Sequence, residues 1–216
     1  MAFRTKTSNR WLIACVLVAG SLAAQPVAFP ARLRHLHGGV KGTLTFSDTA
    51  MEFDERRWNY EEIQALVLSP TSITIRTYED VRWRLGRDRE FTFDGLPDTA
   101  AVKVYALLSA RLDRRLVAEI KAPTDDPVWH GGAKLLHRLS GINGELSIDA
   151  DRVVFVAACS SRTWRFRDID NLSSAGPFEL TLTSLDGEAR FQLKQALPET
   201  RFNEIWRRII LETHHD

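Results

Sequence analysis

Cysteine is almost missing from this sequence, with two residues among 216, Cys15 and Cys159. Cys15 lies in an N-terminal apolar run, so once that leader is removed no internal disulfide can form. Cys159 then reads as a buried structural thiol, with an intermolecular disulfide or a reactive thiol as the alternatives. A surplus of either charge is missing too, since 29 Lys and Arg stand against 28 Asp and Glu. Losing Arg4, Lys6 and Arg10 with the leader makes the remainder slightly acidic, which gives no attraction to polyphosphates and argues against nucleic acid as a partner. No catalytic motif stands out. "GGVKG" (38–42) lacks the spacing and the Ser/Thr of a phosphate loop, and Ser160, Ser161 and Cys159 have no local histidine. The expectation is a protein that is not an enzyme and holds no cofactor. Its alternative is an imidazole metal site built from His35, His37 and His137, with His130 or the His214-His215 pair, although no Cys or carboxylate spacing accompanies them.

Long apolar runs are scarce as well. The run from Trp11 to Ala24 follows three basic residues and closes on small ones, which is the order of a secretory signal peptide. It is shorter than the ~20 residues of a membrane-spanning helix, and only an extension to Phe29 makes an uncleaved anchor the alternative. Residues 1–24 are thus expected to be a signal peptide or N-terminal anchor, and the protein to be exported, periplasmic or secreted.

What is present is a duplication. "LPDT" (96–99) and "LPET" (197–200) each precede apolar residues at helical spacing: Ala101, Val104, Tyr105 and Leu108, then Phe202, Ile205, Trp206 and Ile209. Pro97 and Pro198 suit a first helical turn, and Asp98 and Glu199 complement the helix dipole. "LPET" is therefore a helix start and not a sorting signal, because Ala100 and Arg201 stand where such a signal needs glycine. Upstream, "ARLRHLHGGVKGTLTF" (31–46) aligns with "AKLLHRLSGINGELSI" (133–148) without a gap. After extra residues near "AACS", "WNYEEI" (58–63) aligns with "WRFRDI" (164–169). The same features in the same order imply two copies of one domain, 31–122 and 129–216, joined by a linker at 123–128. Leu112, Leu116 and Ile120 extend the first helical face to Ala122, so a helix of about 39 Å is expected from Pro97.

Within each copy the apolar period is mostly two, as in "GTLTF", "VRWRL" and "REFTFDG", separated by turns such as "SPTS", "RTYED" and "SLDG". The prediction is a mainly β (α+β) chain with about seven antiparallel strands per copy, curled and sealed by one helix whose Tyr105 or Trp206 acts as a plug. Gly42-x-Leu44 and Gly144-x-Leu146, Phe53 and Phe155, Trp58 with Ile63, Trp164 with Ile169, and the closing helix together resemble a pleckstrin-homology-like domain of the GRAM or bacterial PH-like kind. The resemblance implies two tandem PH-like barrels. It also implies use of the helix-side groove or a sheet edge for peptides, because "SDTA" and "DADR" put carboxylates where lipid-binding relatives carry basic residues.

The function expected is a non-catalytic exported scaffold or adaptor that binds a peptide or protein in the cell envelope. Trp58, Trp164, Arg82 and Arg84 are the expected groove and rim residues. Arg82, Arg84, Arg87 and Arg89 carry the alternative, a surface for anionic lipid or another small anion.

Overall fold

A computed structural model describes residues 25–35, 38–81, 87–123 and 127–213. The N-terminal leader, His37, Arg82, Arg84 and the His214-His215 pair lie outside the described residues.

Strict alternation builds the first strands. In β1 (Val27–His35) Phe29, Ala31 and Leu33 turn inward, and in β2 (Gly38–Phe46) Leu44 and Phe46 do so. β3 (Ala50–Phe53) and β4 (Arg56–Asn59) complete a meander, and a 3-10 turn (Tyr60–Glu62) then leads into β5 (Ile63–Leu68), β6 (Ser72–Asp80) and β7 (Asp88–Asp94). α1 (Ala100–Leu108) follows and buries Ala101, Val104, Tyr105 and Leu108. The order recurs downstream. β9 (Trp129–Leu136), β10 (Gly141–Ile148), β11 (Arg152–Ala157) and β12 (Ser161–Arg165) precede a 3-10 turn (Phe166–Asp168), and β13 (Ile169–Gly176), β14 (Glu179–Ser184), β15 (Gly187–Leu193) and α2 (Glu199–Thr213) follow it. Two apolar clusters result, one drawn from residues 29–122 and the other from 133–209.

Two closed barrels are not what forms. All fifteen strands among the described residues belong to one open sheet, in the order β13-β14-β15-β9-β10-β11-β12-β8-β5-β6-β7-β1-β2-β3-β4, where β8 is the short strand Leu116–Ala118. Closing either half on itself needs a ladder between β4 and β5 or between β12 and β13. The 3-10 turns part those strands, among the described residues β4 pairs only with β3 and β13 only with β14, and the free edges of β5 and β12 are both taken by β8. The sheet is mixed for that reason: β8 runs parallel to β5, with Leu66, Val67 and Leu68 opposite Leu116, Val117 and Ala118, while the other ladders are antiparallel.

The same segment corrects the helix expected to reach Ala122. α1 stops at Leu108, a turn follows in which Arg111 and Leu112 N–H donate to Leu108 O, and then the Asp113 carboxylate accepts the amide of Arg115 at 3.0 Å and turns the chain. Leu112, Leu116 and Ile120 are all buried, but on a turn and a strand instead of a helix face. "RTYED" is likewise strand and not turn, because β6 continues to Asp80 opposite Asp88.

β8 fastens the halves together by hydrogen bonds. Thr163 Oγ1 accepts from Ala122 N at 3.1 Å and donates to Ile120 O at 2.7 Å. Buried Arg165 donates to the carbonyls of Ser109, Leu112 (2.8 Å) and Asp113 (2.8 Å) while pairing with both oxygens of Asp168, each at 2.6 Å. Burial pushes the Asp168 carboxyl above its ordinary value, opposed by the Arg165 guanidinium.

Candidate functional site: the groove between α2 and the β13 edge

The tryptophans expected at a groove are core residues. Trp58 is 9% exposed and packs on Phe91 and Phe93 with ring centroids 5.0 and 6.0 Å away. Trp164 meets Phe191 edge-on at 5.9 Å in the other cluster, with the Arg162 guanidinium 5.3 Å above its ring. Arg89 closes an exposed ion pair with Glu79 at 2.8 Å and lies over Phe91, and Arg87 is exposed at the start of the ladder. Arg89 and Trp58 thus share Phe91, whereas Trp164 belongs to the second half.

His35 and His137 are exposed, and no cluster of three or more His, Cys, Asp or Glu suited to a metal occurs among the described residues. Cys159 is exposed and not a buried thiol. It shares with His137, Ser160, Ser161 and Trp164 a cleft of about 340 Å³ at the turn end of the second half.

A larger concavity, about 590 Å³, lies where α2 crosses β13. Its geometry follows from two periodicities. α2 seats Ile205 and Ile209 against the sheet, and β13 contributes Ile169 and Leu172 to the same core. Ile210 and Trp206 sit one position beyond that seam, so they line the groove, with Trp206 43% exposed. The expected plug is therefore half open to solvent, whereas Tyr105, its counterpart in α1, is buried. At one end of the groove Arg114 pairs with Asp170 at 3.4 Å, and Arg167 reaches the carbonyl of Ala110, also at 3.4 Å. The neighbouring Asp113 carboxyl is pulled upward by burial, but its hydrogen bonds with Arg115 hold it below the ordinary carboxylate value.

Among the described residues β13 pairs with β14 alone, which leaves one side of its backbone unpaired. Its ladder with β14 breaks register between Ile169 and Asn171, as β5 breaks register against β6 between Ile63 and Ala65. From there the two strands correspond, Leu66 to Leu172 and Val67 to Ser173, until β13 breaks register a second time between Ser173 and Gly176. On β5 the outward groups are satisfied by β8: Leu66 N–H donates to Arg115 O, and Leu68 O accepts from Glu119 N, both at 2.8 Å. On β13 Asp170, Asn171 and Leu172, the last in the place of Leu66, line the groove.

Sequence reasoning missed Arg167, Asp170 and Ile210. A usable signal was present in α2, where Ile205-Trp206 and Ile209-Ile210 make the apolar stripe two residues wide, more than one sheet face covers.

No family model matches this chain, and no curated protein does. Among solved structures it is similar to the C-terminal domain of an unknown protein from Leishmania infantum, at 10% identity and a TM-score of 0.32, over 39% of this chain and 84% of that one.

Proposed function

We propose that this protein is a non-catalytic binding module that takes an extended segment of a peptide or protein along the β13 edge, under α2. One observation carries the reading: the corresponding edge in the first half, β5, is already filled by an extended strand of the chain itself. Strand addition supplies main-chain hydrogen bonds, and adjoining pockets supply selectivity. Trp206, half exposed beside Ile209, Ile210 and Leu172, is the apolar anchor of the site. The signal-peptide-like order of residues 1–24 supports reading it as an exported scaffold or adaptor of the cell envelope.

The anion-binding alternative has less support, because Arg89, one of the four arginines that carry it, is engaged by Glu79.

The test is selection of displayed random decapeptides on the full chain, followed by amide exchange of the complex. Binders are expected to protect Leu172 and Ser174 and to lose roughly tenfold or more in affinity on Trp206→Ala. Selection that yields no binders, or binders indifferent to Trp206 that protect other strands, sinks the proposal.

A further inference from the structure

The internal strand on β5 also specifies what the β13 groove selects. This step rests on the edge-binding reading above. In the first half the strand enters with Arg115, whose guanidinium donates to Tyr60 O at 2.5 Å inside a cavity lined by Glu61 and Glu62. A basic residue is at home in that corner. The next residue, Leu116, and the third, Ala118, join the first apolar core, while Val117 between them does not, as strand alternation requires.

In the second half the equivalent corner has the opposite charge. The turn Tyr60-Glu61-Glu62 becomes Phe166-Arg167-Asp168. Asp168 is locked in its buried pair with Arg165, so its charge is already spent inside the protein. Asp170 pairs with Arg114, and Asp113 with Arg115. Arg167 closes no ion pair among the described residues and lines the groove. The place that receives Arg115 on β5 therefore meets a guanidinium on β13. Beyond it, the position equivalent to Leu116 is bounded by Leu172, Ile209 and Trp206. Farther along β13 the strand is polar, since Ser173 and Ser174 are both exposed.

We infer that the groove selects a peptide segment with a carboxylate followed directly by an aliphatic residue, lying parallel to β13 in the register that Arg115–Ala118 adopts on β5. Opposite charge at the first position supplies discrimination more than affinity, because the pair is partly solvated.

Two capped peptides test this, acetyl-Gly-Glu-Leu-Val-Ala-Gly-amide and the same sequence with Arg for Glu, titrated against the full chain by amide NMR. The Glu peptide is expected to bind roughly three- to tenfold more tightly, and Arg167→Glu to reverse the order. Glu61 occupies the matching position of the first half, so that variant is compatible with the turn. A nitroxide on the N-terminus of the Glu peptide is expected to broaden Asp170 and Asn171, and one on its C-terminus Ser174 to Gly176. Equal binding of both peptides at this edge, or the reversed broadening pattern, overturns the charge or the direction while leaving edge binding intact. Failure of both peptides to shift β13 amides, or sedimentation showing the edge occupied by a second copy of the chain, overturns both readings.

Discussion

Replacing Arg165 with Met probes the contact on which the junction of the two halves depends. Arg165 and Asp168 side chains are 6% and 9% exposed, so the substitution strands a carboxylate out of water and removes the donor from three carbonyls of the turn after α1. Removing one partner of a buried pair costs about 3–5 kcal/mol. The sign of the pH dependence follows from Asp168. Burial already pushes its carboxyl up, and without the opposing guanidinium its folded pKa rises further above the unfolded value. A group raised in this way contributes stability that is present below the unfolded pKa and lost as pH rises through the folded one, so the penalty is full at about pH 8 and shrinks toward about pH 4. Arg165→Met/Asp168→Leu removes the stranded charge and recovers roughly half of the loss, leaving the cost of the undonated carbonyls. Urea unfolding followed by tryptophan fluorescence at several pH values reads all three quantities. A penalty below about 1 kcal/mol, a penalty that does not change with pH, or a double variant no better than the single one refutes the reasoning.

Two paired substitutions test local packing by thermal or urea unfolding. An alanine at Gly144 drives its Cβ into the backbone carbonyl of Val156 and to 2.8 Å from the Phe155 ring, whereas at Gly42 it meets the movable side chain of Asp54. Gly144→Ala is expected to cost about 1–3 kcal/mol and Gly42→Ala less, and equal costs contradict the contacts. Tyr60 donates its hydroxyl to Ser47 O at 3.0 Å, while the buried Tyr105 hydroxyl has no hydrogen-bond partner among the described residues. Tyr60→Phe should therefore lose about 1 kcal/mol and Tyr105→Phe should be neutral or stabilising, and the reverse order contradicts the assignment.

Alternation and turn chemistry were enough to read most strands, because a side-chain period of two survives whatever the sheet later does. Leu44 with Phe46, and Leu146 with Ile148, are fully buried for that reason. The helix starts at "LPDT" and "LPET" were legible because Pro and acidic residues act within one turn. How the sheet ends was not legible, because edge pairing depends on which distant backbone arrives, and no local pattern records it. Leu112, Leu116 and Ile120 illustrate the failure. Their spacing fits a helix face, and all three are buried, yet the Asp113 turn takes precedence and sends the segment to β5 as a strand. The two core tryptophans misled in another way, since an aromatic conspicuous in sequence serves a core as readily as a groove, and only the neighbouring Phe91, Phe93 and Phe191 decide between them.

The contrast between β5 and β13 has a physical cause in their composition. β5 carries Leu66-Val67-Leu68, with Leu66 and Leu68 fully buried, and covering this stretch with Leu116, Val117 and Ala118 removes three more apolar side chains from water. Burying a residue of the Val or Leu type is worth about 1.5–3 kcal/mol, enough to offset ordering a three-residue strand. β13 carries Leu172-Ser173-Ser174, in which the two serines are exposed and tolerate water, so its edge gains little from permanent cover. A small, polar stretch beside a half-exposed tryptophan suits reversible pairing, in which an arriving strand gains from Trp206 and Leu172 while the free edge remains solvated between encounters. Converting Ser173 and Ser174 to the Val and Leu of β5 is therefore expected to make the edge sticky. Sedimentation of the Ser173→Val/Ser174→Leu protein should show concentration-dependent self-association absent from the unmodified chain. A double variant that remains as monodisperse as the parent would mean that composition does not set the difference between the two edges.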